Sequence, residues 1–292
     1  MSQRRVAKRR PYDEQLQARG ARLAWRVEEP VPFCWMCDRT EGRRAREHIF
    51  PRWLLDELRV ADELFNPTHT DFMGRHISSR GPVPASAFVA GEVCEACNGG
   101  WMSNLEVAAK PILFPPAGRE TLSMADQEVF ARWLTKVAVV LNTSQNYRLM
   151  IPQAVRHALA QGVPPDFGVH LAKHRQESGK LNFAQTTGAM SIVPSGRETA
   201  YQREAAKVYG CALAIDDFLA VVVYARPGAW AMPTEPMTRI WPAAGSVKWA
   251  ELPDVEEIWA PLQLGGQHPR FTLDGASRAT WEAIAKGEPP PA

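Results

Sequence analysis

No apolar run in this sequence approaches the ~20 residues that a membrane-spanning helix needs, so none is expected. The first residues, MSQRRVAKRRPYDEQ, lack the apolar stretch of a secretory signal, and the expectation is a cytoplasmic protein. There is no internal repeat, which excludes a repeat architecture, and no low-complexity tract apart from the Pro-rich ends. Cysteine is scarce, with five among 292 residues, too few for a disulfide scaffold in a chain of this length. Apolar residues make up 45% and charged residues 23%, near the globular average, so one large domain or two ordinary ones with a real core are expected.

Net charge is also small, at +2, but it is unevenly spread. Residues 1–26 hold eight Lys or Arg against two acids, and Arg39, Arg43, Arg44, Arg46 and Arg52 follow closely. Positive charge in one region is the footprint expected of a nucleic-acid binder, and also that of a solvated basic tail.

The cysteines are more informative. Four of the five form two Cys-x-x-Cys pairs, Cys34/Cys37 and Cys94/Cys97, with 56 residues between the pairs. Two such pairs match tetrahedral thiolate ligation of a structural zinc. The alternative is a thiol redox pair at Cys34 and Cys37, which leaves the second pair without a cause. Cys211, within VYGCALAI, reads as a small core residue.

Periodicity and punctuation give an α+β organisation in three parts. Residues 1–32 are a basic segment with a helical pattern at 12–26. Residues 33–117 carry the cysteine pairs, a helical pattern at 53–65 and another at 101–113 that should stop near Pro111. PPAG at 115–118 reads as a linker into residues 118–292. There, Ser123 caps a long helical pattern and a shorter helix covers 152–160. Antiparallel strand patterns follow from about residue 167, with a hairpin around IDDF at 215–218, and a short helix is expected at 280–287.

The chemistry lies between the cysteine pairs. Glu47 and His48 are adjacent, so on an extended strand they face opposite ways. A histidine can accept a proton from water near neutral pH, and a carboxylate or amide oxygen can hold Mg²⁺. Asn98 directly follows the last cysteine. A zinc shared by both pairs would bring the segment after Cys37 close to the one after Cys97.

In this order, Cys-x-x-Cys, Glu-His-Ile-Phe-Pro and Cys-x-x-Cys-Asn resemble the zinc-containing branch of the HNH, or His-Me finger, endonucleases. The resemblance covers residues 33–106. It implies a zinc-stapled ββα-metal, treble-clef-like module, followed by an α+β domain with helices and then an antiparallel sheet. It also implies a metal-dependent endonuclease in which His48 is the general base and Glu47 and Asn98 hold Mg²⁺ or Mn²⁺. Cys34, Cys37, Cys94 and Cys97 would hold the structural zinc. Arg44, Arg46 and Arg52 would grip substrate phosphates, with DNA the expected nucleic acid. Glu47 stands where the family usually has Asp, and ASAFVAGEV before Cys94 offers no Asn where the family often has one. A zinc-dependent nucleic-acid binder that does not cut is the alternative.

Several residues carry blander expectations. Glu106 follows Asn98 by eight residues, ~12 Å along a helix, and reads as a helix-surface or supporting residue. Trp101, Met102 and Leu105 read as core. His69 and His76 read as loop residues, and His157, His170 and His174 receive no role. Residues 118–292 are the expected place for a protein partner or for pairing of two copies.

Overall fold

A sheet of continuous apolar strands is the centre of the molecule, and the reason is visible in β11. FLAVVVYA, Phe218–Ala225, is buried along nearly its whole length, so both faces need cover. In the computed structural model, which describes residues 33–65, 67–70, 76–79, 81–142, 151–174, 180–187, 208–226 and 236–255, β11 lies inside a five-stranded antiparallel sheet. Its partners are β8 (Phe167–Lys173), β9 (Leu181–Thr187), β10 (Val208–Ile215) and β12 (Thr238–Trp241), in the order β12-β8-β11-β10-β9. β10 and β11 form the expected hairpin, with Ile215 opposite Phe218. Asp216 takes the left-handed conformation (φ 51°) that this two-residue turn requires, which Asp tolerates better than most residues.

One face of the sheet is covered by α3, Met124–Asn142. Its second half, from Trp133 to Asn142, is buried all round, as a helix inside a large core must be. Its start is set by a reciprocal cap. Asp126 N–H donates to Ser123 Oγ (3.2 Å), and Ser123 N–H donates to the Asp126 carboxylate (3.2 Å). Replacing Ser123 with Ala should therefore cost about 1 kcal/mol, read as a lower urea midpoint at an unchanged slope.

The cysteine-bearing half is built from shorter pieces. β1 (Arg44–His48) leads through Pro51 into α1 (Arg52–Leu58), which stops at Arg59 in the left-handed conformation (φ 60°). The helical pattern read over 53–65 is therefore cut short. Its end becomes β2 (Leu64–Phe65), which pairs with β5 (Val83–Pro84). Between them, β3 (Thr68–Thr70) and β4 (His76–Ser79) pair and carry His69 and His76. β6 (Val89–Cys94) lies antiparallel to β1, and a helical turn at Glu95–Cys97 and a π turn at Asn98–Met102 run into α2, Ser103–Leu113. Pro111 does not end α2. Only two helical residues follow it, and Val107, whose carbonyl it cannot bond, is 73% exposed and open to water.

The proline-rich stretch at 115–118 does not separate two cores. Leu54, Leu55, Met102 and Leu105 belong to the same buried cluster as Trp133, Val137, Leu171 and Leu213. Phe183 on β9 touches Phe50, Phe65 and Phe88 with ring centroids 5.7–5.8 Å apart, and Trp53 meets Trp133 at 5.7 Å. β7 (Thr121–Leu122) pairs with β13 (Val247–Lys248), and α4 (Gln153–Ala158) packs beside the cysteine loop. The fold is mixed α+β with antiparallel sheets. The basic segment 1–32 and the helices expected at 12–26 and 280–287 lie outside the described residues.

Candidate functional site

The four paired cysteines converge. Their sulfurs all lie within 4.8 Å of one another, and Cys37 Sγ is 3.8 Å from Cys94 Sγ. Four sulfurs at ~2.3 Å from one tetrahedral ion stand roughly 3.8 Å apart, so this donor set fits zinc. None of the five cysteines forms a disulfide. The backbone N–H groups of Met36 (3.4 Å) and Cys94 (3.3 Å) donate to Cys34 Sγ. Such bonds favour thiolate over thiol. With a hydrogen bond from the Cys97 thiol as the largest cause, they hold Cys34 at about 4, against the opposing effect of burial.

The cysteine loop is wedged into the second half of the chain. Trp35, between Cys34 and Cys37, is fully buried and donates its indole N–H to the Val139 carbonyl of α3 (3.1 Å). The Arg156 guanidinium of α4 lies 3.7 Å over the Trp35 ring and donates to the Trp35 carbonyl (3.1 Å). Asp38 accepts from Gln153 (3.2 Å) and pairs with His157 (2.7 Å).

β1 then separates the two candidate catalytic groups. Arg44 lies opposite Cys94 and His48 opposite Val89, with an irregular register between Ala45 and Glu47. Glu47 turns inward and is 4% exposed. His48 is half-buried, and its Nδ1 is enclosed without a hydrogen-bond partner among the described residues. Burial, then the charges of Arg52 and Arg46, hold His48 below the ordinary imidazole value, outweighing the opposite pull of the Ser86 backbone and Glu106. Arg46 and Arg52 are both exposed, so His48 sits beside two guanidinium groups open to solvent. Arg44 is also exposed and lies over the Phe33 ring at 5.2 Å.

The partner of Glu47 comes from outside the cysteine module. Lys136 of α3, fully buried, donates to the Glu47 carboxylate and to Glu106 of α2 (2.7 Å). Burial opposes the lysine's charge, yet the two carboxylates outweigh it and raise its pKa above the usual lysine value. Burial raises Glu47 as well, and Lys136 opposes that rise. Among the described residues, the ion-pair partner of Glu47 is thus Lys136. Asn98 opens the π turn after Cys97 and is half-buried. With an ammonium already on the Glu47 carboxylate, the donors as they stand do not fit the expected divalent ion there.

Sequence reading missed Lys136, while Glu106, expected on the helix surface or in a supporting role, takes the supporting one by pairing with that lysine. A signal was present: Lys136 interrupts WLTKVAVV, where a lone charge on a buried helix face must find an opposite charge. Met102 and Leu105 are core, as expected, while Trp101 is half-buried under Arg132 (5.3 Å). His170 is held at about 4 by burial and then by Arg239, and His174 lies 2.9 Å from the Val255 carbonyl. Among the described residues no helix is long and apolar enough to cross a membrane. Comparison with protein-family models, with curated proteins and with solved structures finds no match to this chain.

Proposed function

We propose that the chain is a zinc-stapled endonuclease of the HNH type that hydrolyses nucleic-acid phosphodiester bonds, with His48 as the general base. The observation that carries this reading is the convergence of four cysteine sulfurs, which ties β6 and the helix after it to the segment leading into β1. An antiparallel strand pair followed by a helix is the frame that an HNH site needs. His48 ends the first strand half-buried, its Nδ1 without a hydrogen-bond partner among the described residues and two arginines near the ring.

In this reading His48 takes a proton from water as the water oxygen bonds to phosphorus. The bond from phosphorus to the leaving oxygen breaks, and that oxygen takes a proton from solvent. Arg46 and Arg52 hold the phosphate and offset its charge, with Arg44 on a flanking phosphate. Lys136 occupies the carboxylate that would hold Mg²⁺ or Mn²⁺. DNA is the proposed substrate, and residues 118–292 are the proposed place for a partner or a second copy.

The second reading, a nucleic-acid binder that does not cut, is favoured by that same Lys136 contact. Supercoiled plasmid distinguishes the two. With zinc-loaded protein, with and without added Mg²⁺ or Mn²⁺, wild type should nick and His48→Ala should lose about 10²- to 10⁴-fold of the rate. Equal nicking by the variant, or binding without nicking by wild type, rejects the nuclease.

The pH profile adds a prediction. His48 is held below its usual value, so its neutral, proton-accepting form persists into more acid solution. The nicking rate should rise with pH along an acid limb whose midpoint lies below 6.5, the ordinary histidine value. Removing a nearby positive charge with Arg52→Gln should move that midpoint upward. A midpoint unmoved by the substitution would mean that the limb belongs to another group.

A further inference from the structure

Two carboxylates and one ammonium meet where β1, α2 and α3 pack together. Lys136 is the shared member, bonded to Glu47 from one side and Glu106 from the other. Its side chain is 0% exposed, against 5% for Glu47 and 20% for Glu106. The lysine cannot swing aside as a surface lysine would. Its neighbours along α3, Trp133, Leu134, Val137, Val139 and Val140, are all at most 1% exposed, so the stretch of helix that carries it is enclosed. A divalent ion on the Glu47 carboxylate would stand beside a fixed positive charge in a poorly screened interior.

We propose that Lys136 is the permanent cation of an internal site formed by Glu47 and Glu106, standing where the HNH resemblance would put a divalent ion. Glu47 is then a positioning residue. It anchors β1 to α3 and fixes the strand end from which His48 projects, and it ligates no metal. Lys136 does not touch substrate, being enclosed. This assignment rests on the contacts alone and stands whether or not the chain cuts nucleic acid.

Mn²⁺ is the probe, added to the full zinc-loaded chain. In wild type the backbone amide signals of Glu47, His48 and Glu106 should keep their intensity as paramagnetic Mn²⁺ is raised to millimolar levels. Any Mn²⁺ uptake seen by electron paramagnetic resonance should be unchanged by Glu47→Gln. Lys136→Met keeps the side-chain bulk without the charge and leaves two carboxylates facing each other. It should bind Mn²⁺ roughly tenfold or more tightly than wild type, and Glu47→Gln in the same background should remove that gain. Selective broadening at Glu47 and Glu106 in wild type, or a wild-type site that Glu47→Gln weakens, overturns the proposal. So does a folded Lys136→Met variant with no gain. Should that variant not fold, the wild-type broadening decides alone. None of these readouts needs nicking, so failure here is distinct from failure of the His48 test.

Discussion

A chelator strong enough to take zinc from four thiolates should unfold the whole described structure, not only the cysteine loop. The reason is where that loop lies. Cys34, Trp35 and Met36 are each 0% exposed and belong to the same buried cluster as α3 and the five-stranded sheet. Trp35 is tied to Val139 and Arg156, so a loop released from zinc takes the α3 and α4 contacts with it. Structural zinc supplies an apparent ~10–16 kcal/mol in small modules, against a total stability of about 5–15 kcal/mol for a typical domain. Elemental analysis should find one zinc per chain. Near- and far-ultraviolet circular dichroism should be lost together as it is removed. Acid should act in the same direction. Zinc binds thiolates and not thiols, so protons compete with the ion for the four sulfurs as pH falls. A metal-free chain with an unchanged melting curve at neutral pH would mean that the core holds without the staple. Loss of the loop signals alone would mean that it folds separately.

That the four-cysteine cluster sits inside a shared core was only partly legible in the sequence. The cysteine pairs could be read because a metal site depends on residue type and order, which a sequence records directly. The strands from Phe167 to Ala225 and the Ser123 cap were legible because their signals are local: alternation or continuous apolarity, a polar cap, and two turn residues between strands. The end of α1 was not. Leu64 continues the helical spacing of Leu54, Leu55 and Leu58, yet it is 64% exposed. The left-handed Arg59 breaks the helix first, and nothing in the residue type announces that. PPAG looked like a boundary because proline and glycine mark a break in local structure. They carry no information about whether the two sides share a core, and here Phe183 packs against three rings from the other side. The same limit applies to Glu47. Its neighbour His48 suggested a metal ligand, but its partner lies 89 positions away on α3, and only tertiary packing brings Lys136 to it.

Lys136→Met should be a severely damaging single change to the core, costing about 3–5 kcal/mol in urea denaturation at neutral pH. The loss is not mainly that of two hydrogen bonds. It is that Glu47, at 5% side-chain exposure, and Glu106, at 20%, are left facing each other with no positive charge between them. The sign of the pH dependence follows. Burial already raises Glu47, and Lys136 is the largest influence opposing the rise, so in the variant the carboxyl must rise further. A carboxyl whose folded pKa lies above its unfolded value contributes stability that is full below the unfolded value and lost as pH climbs through the folded one. The penalty of Lys136→Met should therefore shrink as pH falls towards the carboxylate range and be largest at neutral pH and above. Adding Glu47→Gln to the variant should recover a large part of the loss, because the amide removes the uncompensated charge while keeping the side chain's shape. Glu47→Gln alone should cost less than Lys136→Met, since Glu106 still faces the lysine. The coupling between the two substitutions is the quantity that identifies the contact. Additive losses, or a penalty that does not change with pH, would show that Lys136 acts through packing of α3 and not through its charge.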